Sequence, residues 1–153
     1  MLAWERVEPT GAIVRSTLPW GNRLTTRVLT FGTFDVFHVG HLRILERARA
    51  LGDRLIVGIS TDELNLSKKG RPPVFTQGER MDIVAALRCV DEVFLEESLE
   101  LKRDYLVRYR ASILAMGDDW AGKFDQFGDI CRVVYFDRTP AVSTTAVIEK
   151  IRL

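Results

Sequence analysis

From Arg27 onward the apolar positions fall into alternating strand-like and helix-like stretches. Residues 28–31 are a short β-like run that stops at Gly32. Across 39–51, Leu42, Leu45, Ala48 and Leu51 recur at three-residue steps, which is a helix face, and Gly52 follows where a C′ glycine belongs. Residues 55–59 are continuously apolar, as in a strand covered on both faces. Lys68, Lys69, Gly70, Arg71, Pro72 and Pro73 make 67–76 read as a basic, breaker-rich loop. A helix is predicted over 79–89 with Ile83, Ala86 and Leu87 facing inward, then a strand at 93–95, a helix at 99–109 and a strand at 112–116 stopped by Gly117. The last strand is predicted at 132–136, and Ser143 has the character of an N-cap for a helix through Lys150. Strands alternating with helices imply an α/β fold with a parallel β-sheet and helices on both faces. Ligands of such sheets bind beyond the carboxyl ends of the strands, which selects 32–41, 60–71, 116–124 and 137–145.

Residues 1–26 lack this regularity and read as an N-terminal extension to a domain at 27–153. Glu5 and Glu8, and the want of a continuous apolar stretch, argue against a targeting signal there. The chain has 153 residues, enough for one domain with a real core. With 22 Lys+Arg against 21 Asp+Glu the net charge is +1, so a general polyanion-binding surface, and with it nucleic acid as a partner, is not expected. No apolar run approaches the ~18 residues of a membrane helix, so no membrane partner is expected either. Cys89 and Cys131 are the only cysteines, which excludes a disulfide framework and a zinc cluster and fits a cytoplasmic location.

The unusual chemistry lies in Gly32-Thr33-Phe34-Asp35-Val36-Phe37-His38-Val39-Gly40-His41. The two histidines of the chain are three residues apart at the mouth of a helix, a spacing that puts both side chains on one face. Gly40 between them would let a ligand approach the backbone, and the helix N-terminus suits phosphate. Two imidazoles there can donate to phosphate oxygens that gain charge in a transition state. A single such histidine would more simply be a cap or a packed ring. A metal pair lacks a third His or Cys.

This stretch resembles the HxGH signature of the nucleotidyltransferase superfamily. Further segments follow in order: Ile59-Ser60-Thr61-Asp62-Glu63-Leu64-Asn65, Arg80 and Arg88, Val90-Asp91-Glu92-Val93, Met116-Gly117-Asp118-Asp119-Trp120 with Gly122-Lys123-Phe124, and Arg138-Thr139 with Ser143-Thr144-Thr145. Together they resemble the glycerol-3-phosphate cytidylyltransferases from about Val28 to Ile151. The resemblance implies a Rossmann-like nucleotidyltransferase fold and transfer of CMP from CTP to glycerol 3-phosphate, giving CDP-glycerol and pyrophosphate, for synthesis of a polymer such as teichoic acid or a capsule. It implies His38, His41 and Arg138 as catalytic residues. Nucleotide contacts fall to Thr33, Phe34, His38, His41, Arg138, Thr139, Val142, Ser143, Thr144 and Thr145. Acceptor contacts fall to Lys68, Arg88, Lys102 and Asp119. Mg²⁺ or another divalent cation is implied with the CTP, with Asp35 a candidate contact, and a homodimer is the implied assembly. Read without the resemblance, Lys68 and Lys102 are surface charges, Arg88 pairs with Asp91 or Glu92, and Asp35, Asp118 and Asp119 are turn residues. An adenylyltransferase, a cytidylyltransferase for another phosphorylated alcohol or sugar, and a non-catalytic nucleotide-binding protein are the competing readings. Pro140-Ala141 stands where the family usually has a glycine before the Ser-Thr-Thr turn.

Overall fold

Five strands carry the fold: β3 (Arg27–Gly32), β4 (Arg54–Ser60), β5 (Glu92–Glu96), β6 (Ile113–Gly117) and β7 (Arg132–Phe136). They form one all-parallel sheet in the order β5-β4-β3-β6-β7. The computed structural model describes residues 25–138 and 142–153, with the backbone of two short strands before them, β1 (Arg6–Val7) and β2 (Ile13–Val14). β1 and β2 pair antiparallel inside the segment that sequence pattern leaves irregular. Two-residue strands are too short for alternation to register.

Successive strand residues feed two cores, as a period of two requires. Leu29, Phe31, Ile56, Leu114 and Met116 point to one face. Val28, Leu55, Val57, Ile59, Ile113 and Ala115 point to the other. The first face is covered by α4 (Lys102–Arg108) and by two 3₁₀ turns, Asp118–Trp120 and Asp125–Asp129, through Tyr105, Leu106, Phe124 and Phe127. The second is covered by α1 (Val39–Arg49) and α3 (Gln77–Ala85), through Leu45, Ala48 and Val84. Each fully buried Leu or Ile contributes roughly 1.5–3 kcal/mol. Gly58 in β4 leaves room for Phe31, since a Cβ there would lie 2.5 Å from that ring.

The structure corrects the expected elements in four places. The basic loop begins only at Gly70, because Asp62–Lys69 is a helix, α2. Thr61 caps it by accepting from the Leu64 N–H (3.1 Å), and Gly70 ends it at φ 70°. Acids in its first turn and Lys68 and Lys69 in its last suit the helix dipole. The helix α3 starts two residues earlier than expected, at a capping box of Thr76 and Glu79. Its buried residues are Arg80 and Val84, while Ile83 and Ala86 are exposed. The helix α4 is shorter at its start than 99–109, with no side-chain cap at Leu101. Gly52 is not a left-handed cap. It serves a close approach, because a Cβ there would lie 2.7 Å from the Thr26 carbonyl, which also accepts from the N–H groups of Asp53 and Arg54. The last helix, α5 (Thr144–Ile151), is capped by Ser143 as expected, its hydroxyl accepting from the Ala146 N–H (3.1 Å).

Candidate active site

The chain crosses from β5 to β6 over the β3–β4 pair, so the topological switch point lies between β3 and β6. A ligand crevice forms beyond the strand ends at such a point. On one side stands the N-terminus of α1, and on the other the turn after β6. Arg47 draws α1 toward the end of β7 by donating to the Asp137 carbonyl (2.9 Å) and lying 4.5 Å over the Phe136 ring. The N-terminus of α5 also reaches this crevice, with the Thr144 hydroxyl 3.5 Å from His38 Nε2 and donating to the Asp35 carbonyl (3.2 Å). Val142 packs against the Gly40 position.

His38 and His41 form a capping box from two imidazoles. His38 is the N-cap of α1, and its Nδ1 accepts from the Gly40 N–H (3.1 Å). His41 reaches back so that its Nδ1 accepts from the His38 N–H (3.2 Å). The rings stack with centroids 3.8 Å apart, and Phe34 and Phe37 flank His41 at 5.5 and 5.3 Å. A neutral ring that accepts at Nδ1 carries its proton at Nε2, so each ring is a preset Nε2–H donor. Gly40 also makes room inside the cap, since a Cβ there would lie 2.8 Å from the His38 ring.

Burial lowers the pKa of both histidines. His41 falls to about 4, through burial first and the neighbouring His38 second, with Asp35 opposing. An unfolded histidine titrates near ~6.5, so between that pH and about 4 the unfolded chain takes up a proton that the native chain refuses. The stability owed to neutral His41 is therefore complete above pH ~6.5 and drains away as pH falls toward 4, by at most about 3 kcal/mol. Urea unfolding at pH 7 and pH 4.5 should show a smaller pH loss for His41→Gln than for the wild type. Equal losses would remove His41 from the acid response.

The turn that delivers His38 is strained. Phe34 and Val36 have φ of 53° and 45°, and a β-branched residue there is an outlier. A polar network that ties Thr33 and Asp35 to residues outside the expected site holds it. Arg80 is fully buried and spends its guanidinium on three partners: the Thr33 carbonyl (2.7 Å), the Phe75 carbonyl (3.1 Å) and Asp62 (2.8 Å). The Thr33 hydroxyl donates to Asn65 (2.7 Å), whose own amide donates to the Thr61 carbonyl (2.8 Å). Asp35 accepts from the N–H groups of Val36, Val74 and Phe75. Its carboxylate straps the 74–75 segment to the end of β3, so both oxygens already have backbone partners. Among the described residues no three His, Cys, Asp or Glu side chains converge to hold a metal. The described residues thus form no cage of their own for a metal, and the Asp35 carboxylate is shared among three backbone N–H groups.

Arg138 is exposed beyond β7, with its guanidinium 3.5 Å from Asp119 and 3.9 Å from Asp118. These three stand beyond the carboxyl ends of β6 and β7. Thr139 lies outside the described residues, as do Pro140 and Ala141. Ser143 and Thr145 are exposed at the start of α5. Phe34 is buried, so only its backbone is available to a ligand. Lys68 ends α2 beside a cleft of about 300 Å³ lined by Glu63, Ser67, Glu97, Ser98 and Glu100. Lys102 is 2% exposed and ion-paired with buried Glu96. The structure does not bring Arg88 to the crevice. It lies between α3 and the amino end of β5, whereas the other expected site residues gather beyond the carboxyl ends of the strands. The acids expected to pair with it are bound elsewhere, Asp91 to Arg49 and Glu92 to Arg54. Burial raises the pKa of both cysteine thiols, which leaves them poor nucleophiles.

A family model described as cytidylyltransferase-like matches residues 29–150. The chain belongs to the cytidylyltransferase-like family. This cytidylyltransferase-like chain is 46% identical over 125 residues to the glycerol-3-phosphate cytidylyltransferase of Bacillus subtilis, covering 82% of the chain and 96% of that protein. It is 31% identical over 141 residues to an FAD synthase of Pyrococcus horikoshii, covering 86% of the chain and 95% of that protein. A lipopolysaccharide core biosynthesis protein from Thermoplasma volcanium superposes with a TM-score of 0.64 at 23% identity, over 75% of this chain and 98% of that one, which shows the shared fold. The Rossmann-like nucleotidyltransferase fold implied by the motifs is the fold of this chain.

Proposed function

We propose that the chain transfers CMP from CTP to glycerol 3-phosphate, releasing pyrophosphate and forming CDP-glycerol. The observation that carries the reading is the imidazole capping box, which presets two Nε2–H donors at paired helix N-termini. A phosphate oxygen of the acceptor attacks the α-phosphorus in line, and the bond to the leaving pyrophosphate breaks. His38 and His41 donate to the oxygens that gain charge, a role that preorganised donors perform without reorganisation. Arg138, with Thr139 and the Val142–Thr145 turn, holds the nucleotide, and Lys68 and Lys102 receive the acceptor phosphate. The divalent cation expected with CTP belongs to the triphosphate in this reading, and no step is assigned to it. The domain at 27–153 performs the reaction, as a cytoplasmic homodimer, with 1–26 an extension to it. Among the described residues no helix is long and apolar enough to cross a membrane.

Base choice is the sharpest test. CTP is expected to exceed ATP by at least tenfold in kcat/KM, about 1.4 kcal/mol of differential transition-state binding. A site built around one base edge leaves polar groups unpaired with another. Pyrophosphate release with each of the four nucleoside triphosphates, against glycerol 3-phosphate and other alcohol phosphates, measures it. Equal use of ATP would sink the cytidylyl assignment.

A further inference from the structure

Two lysines and one carboxylate meet beyond the carboxyl ends of β4 and β5. Glu96, the last residue of β5, is 1% exposed and accepts from the Ser60 hydroxyl (3.1 Å) with one oxygen and from the Lys102 ammonium with the other. Lys102 stands in the first turn of α4, its ammonium 3.5 Å over the Phe31 ring and 5.4 Å from that of Phe124. Lys68, from the end of α2, is near enough to feel both: Glu96 favours its charge, and it in turn disfavours the charge on Lys102. Two ammonium groups therefore face one buried carboxylate, at the edge of a cleft that Lys68 lines together with Glu63, Glu97 and Glu100.

We propose that Glu96 is a positioning residue for the acceptor phosphate, fixing the Lys102 ammonium over Phe31 at the floor of the site while Lys68 closes on the phosphate from the rim. The proposal rests on the preceding reading, in which an acceptor phosphate is held by these two lysines. A lysine stem has four rotatable bonds, and its point charge has no preferred direction without a fixed partner. Glu96 supplies that direction, Ser60 fixes Glu96, and the aromatic face of Phe31 blocks retreat into the core. The carboxylate also keeps the ammonium protonated. Burial lowers the pKa of Lys102 and Glu96 opposes it, so a neutral replacement lets the ammonium discharge as pH rises. The charged groups facing this ammonium are Glu96 from β5 and Lys68 from α2, with Glu63, Glu97 and Glu100 around the adjoining cleft.

The test is Glu96→Gln, with KM for CTP and for glycerol 3-phosphate measured from pH 6.5 to 8.5. The acceptor KM should rise at least ~10-fold, the scale of one lost charge-assisted contact, with the CTP KM changed far less. That rise should grow with pH, whereas the wild-type acceptor KM should not. Parallel changes in both KM values, or a rise independent of pH, would overturn the proposal. Ser60→Ala guards against a misfolded Glu96 variant. It loosens the carboxylate without removing the ion pair, and a smaller rise confined to the acceptor KM is expected. No change on that substitution, or a change in the CTP KM alone, would count against the proposal. Titration with inorganic phosphate, without CTP, gives the same comparison free of turnover: weaker binding to Glu96→Gln is expected, and equal binding refutes it. A wild-type protein that binds phosphate in this way yet releases no pyrophosphate with any alcohol phosphate would defeat the reaction reading and not this one.

Discussion

Replacing His38 by asparagine should lower kcat by ~10²–10³ and leave the N-terminus of α1 intact. Asparagine is among the best N-cap residues, so its side-chain oxygen takes over the Gly40 N–H that His38 Nδ1 now receives. What it cannot replace is the Nε2–H, and loss of one preorganised donor to a charged transition state costs about this factor. His41→Ala should show a similar fall in kcat with an added loss of stability, because the His38 N–H then loses its partner. Both effects should fall on kcat rather than on KM for CTP, as for an interaction made chiefly in the transition state. Steady-state pyrophosphate release decides this, with urea unfolding alongside. Near-normal kcat in both variants would reduce the two rings to helix caps.

The second large effect is expected at Arg80, on stability. Arg80→Met keeps much of the volume and strands two carbonyls and a carboxylate, those of Thr33, Phe75 and Asp62. The Asp62 carboxylate is 38% exposed and keeps the Gln77 N–H, so the loss should fall below the ~3–5 kcal/mol of a fully buried pair, at about 2 kcal/mol for the stranded carbonyls. Arg80→Lys should recover only a minor part of it, because an ammonium cannot span three acceptors set in a fork. The urea midpoint measures the loss, and a lysine variant as stable as the wild type would show that charge alone suffices. The Thr33 carbonyl belongs to the turn that holds Phe34 and Val36 at positive φ, so activity should fall with stability.

The sheet, the order of its strands along the chain and the crevice at the end of β3 were all legible from apolar periodicity. The helix α2 was not, since its eight residues include Asn65, Ser67 and two lysines and show no apolar stripe. Its readable signs were electrostatic and terminal: Thr61 before it, acids at its start, lysines at its end and Gly70 after it. Arg80 escaped notice as a site residue because its burial is decided by partners at Thr33, Asp62 and Phe75, three separate segments that no local pattern connects. The same holds for Glu96, which looks like one acid among several at 96–100 until the fold sets Ser60 and Lys102 against it. Gly40 and Gly52 were noticed as glycines, but the atoms they accommodate were visible only in three dimensions.

The backbone hydrogen bonds to both imidazole Nδ1 atoms have a consequence for the proton inventory of the reaction. With those lone pairs occupied by the Gly40 and His38 N–H groups, the crevice sees only ring protons and no basic nitrogen. The histidines can steady charge and cannot remove a proton from an incoming nucleophile. The acceptor must then arrive already ionised, as a phosphate monoester does once its second proton leaves near pH ~6. The acid limb of the reaction near that pH accordingly includes the ionisation of the small molecule, and it moves with the acidity of the ester chosen.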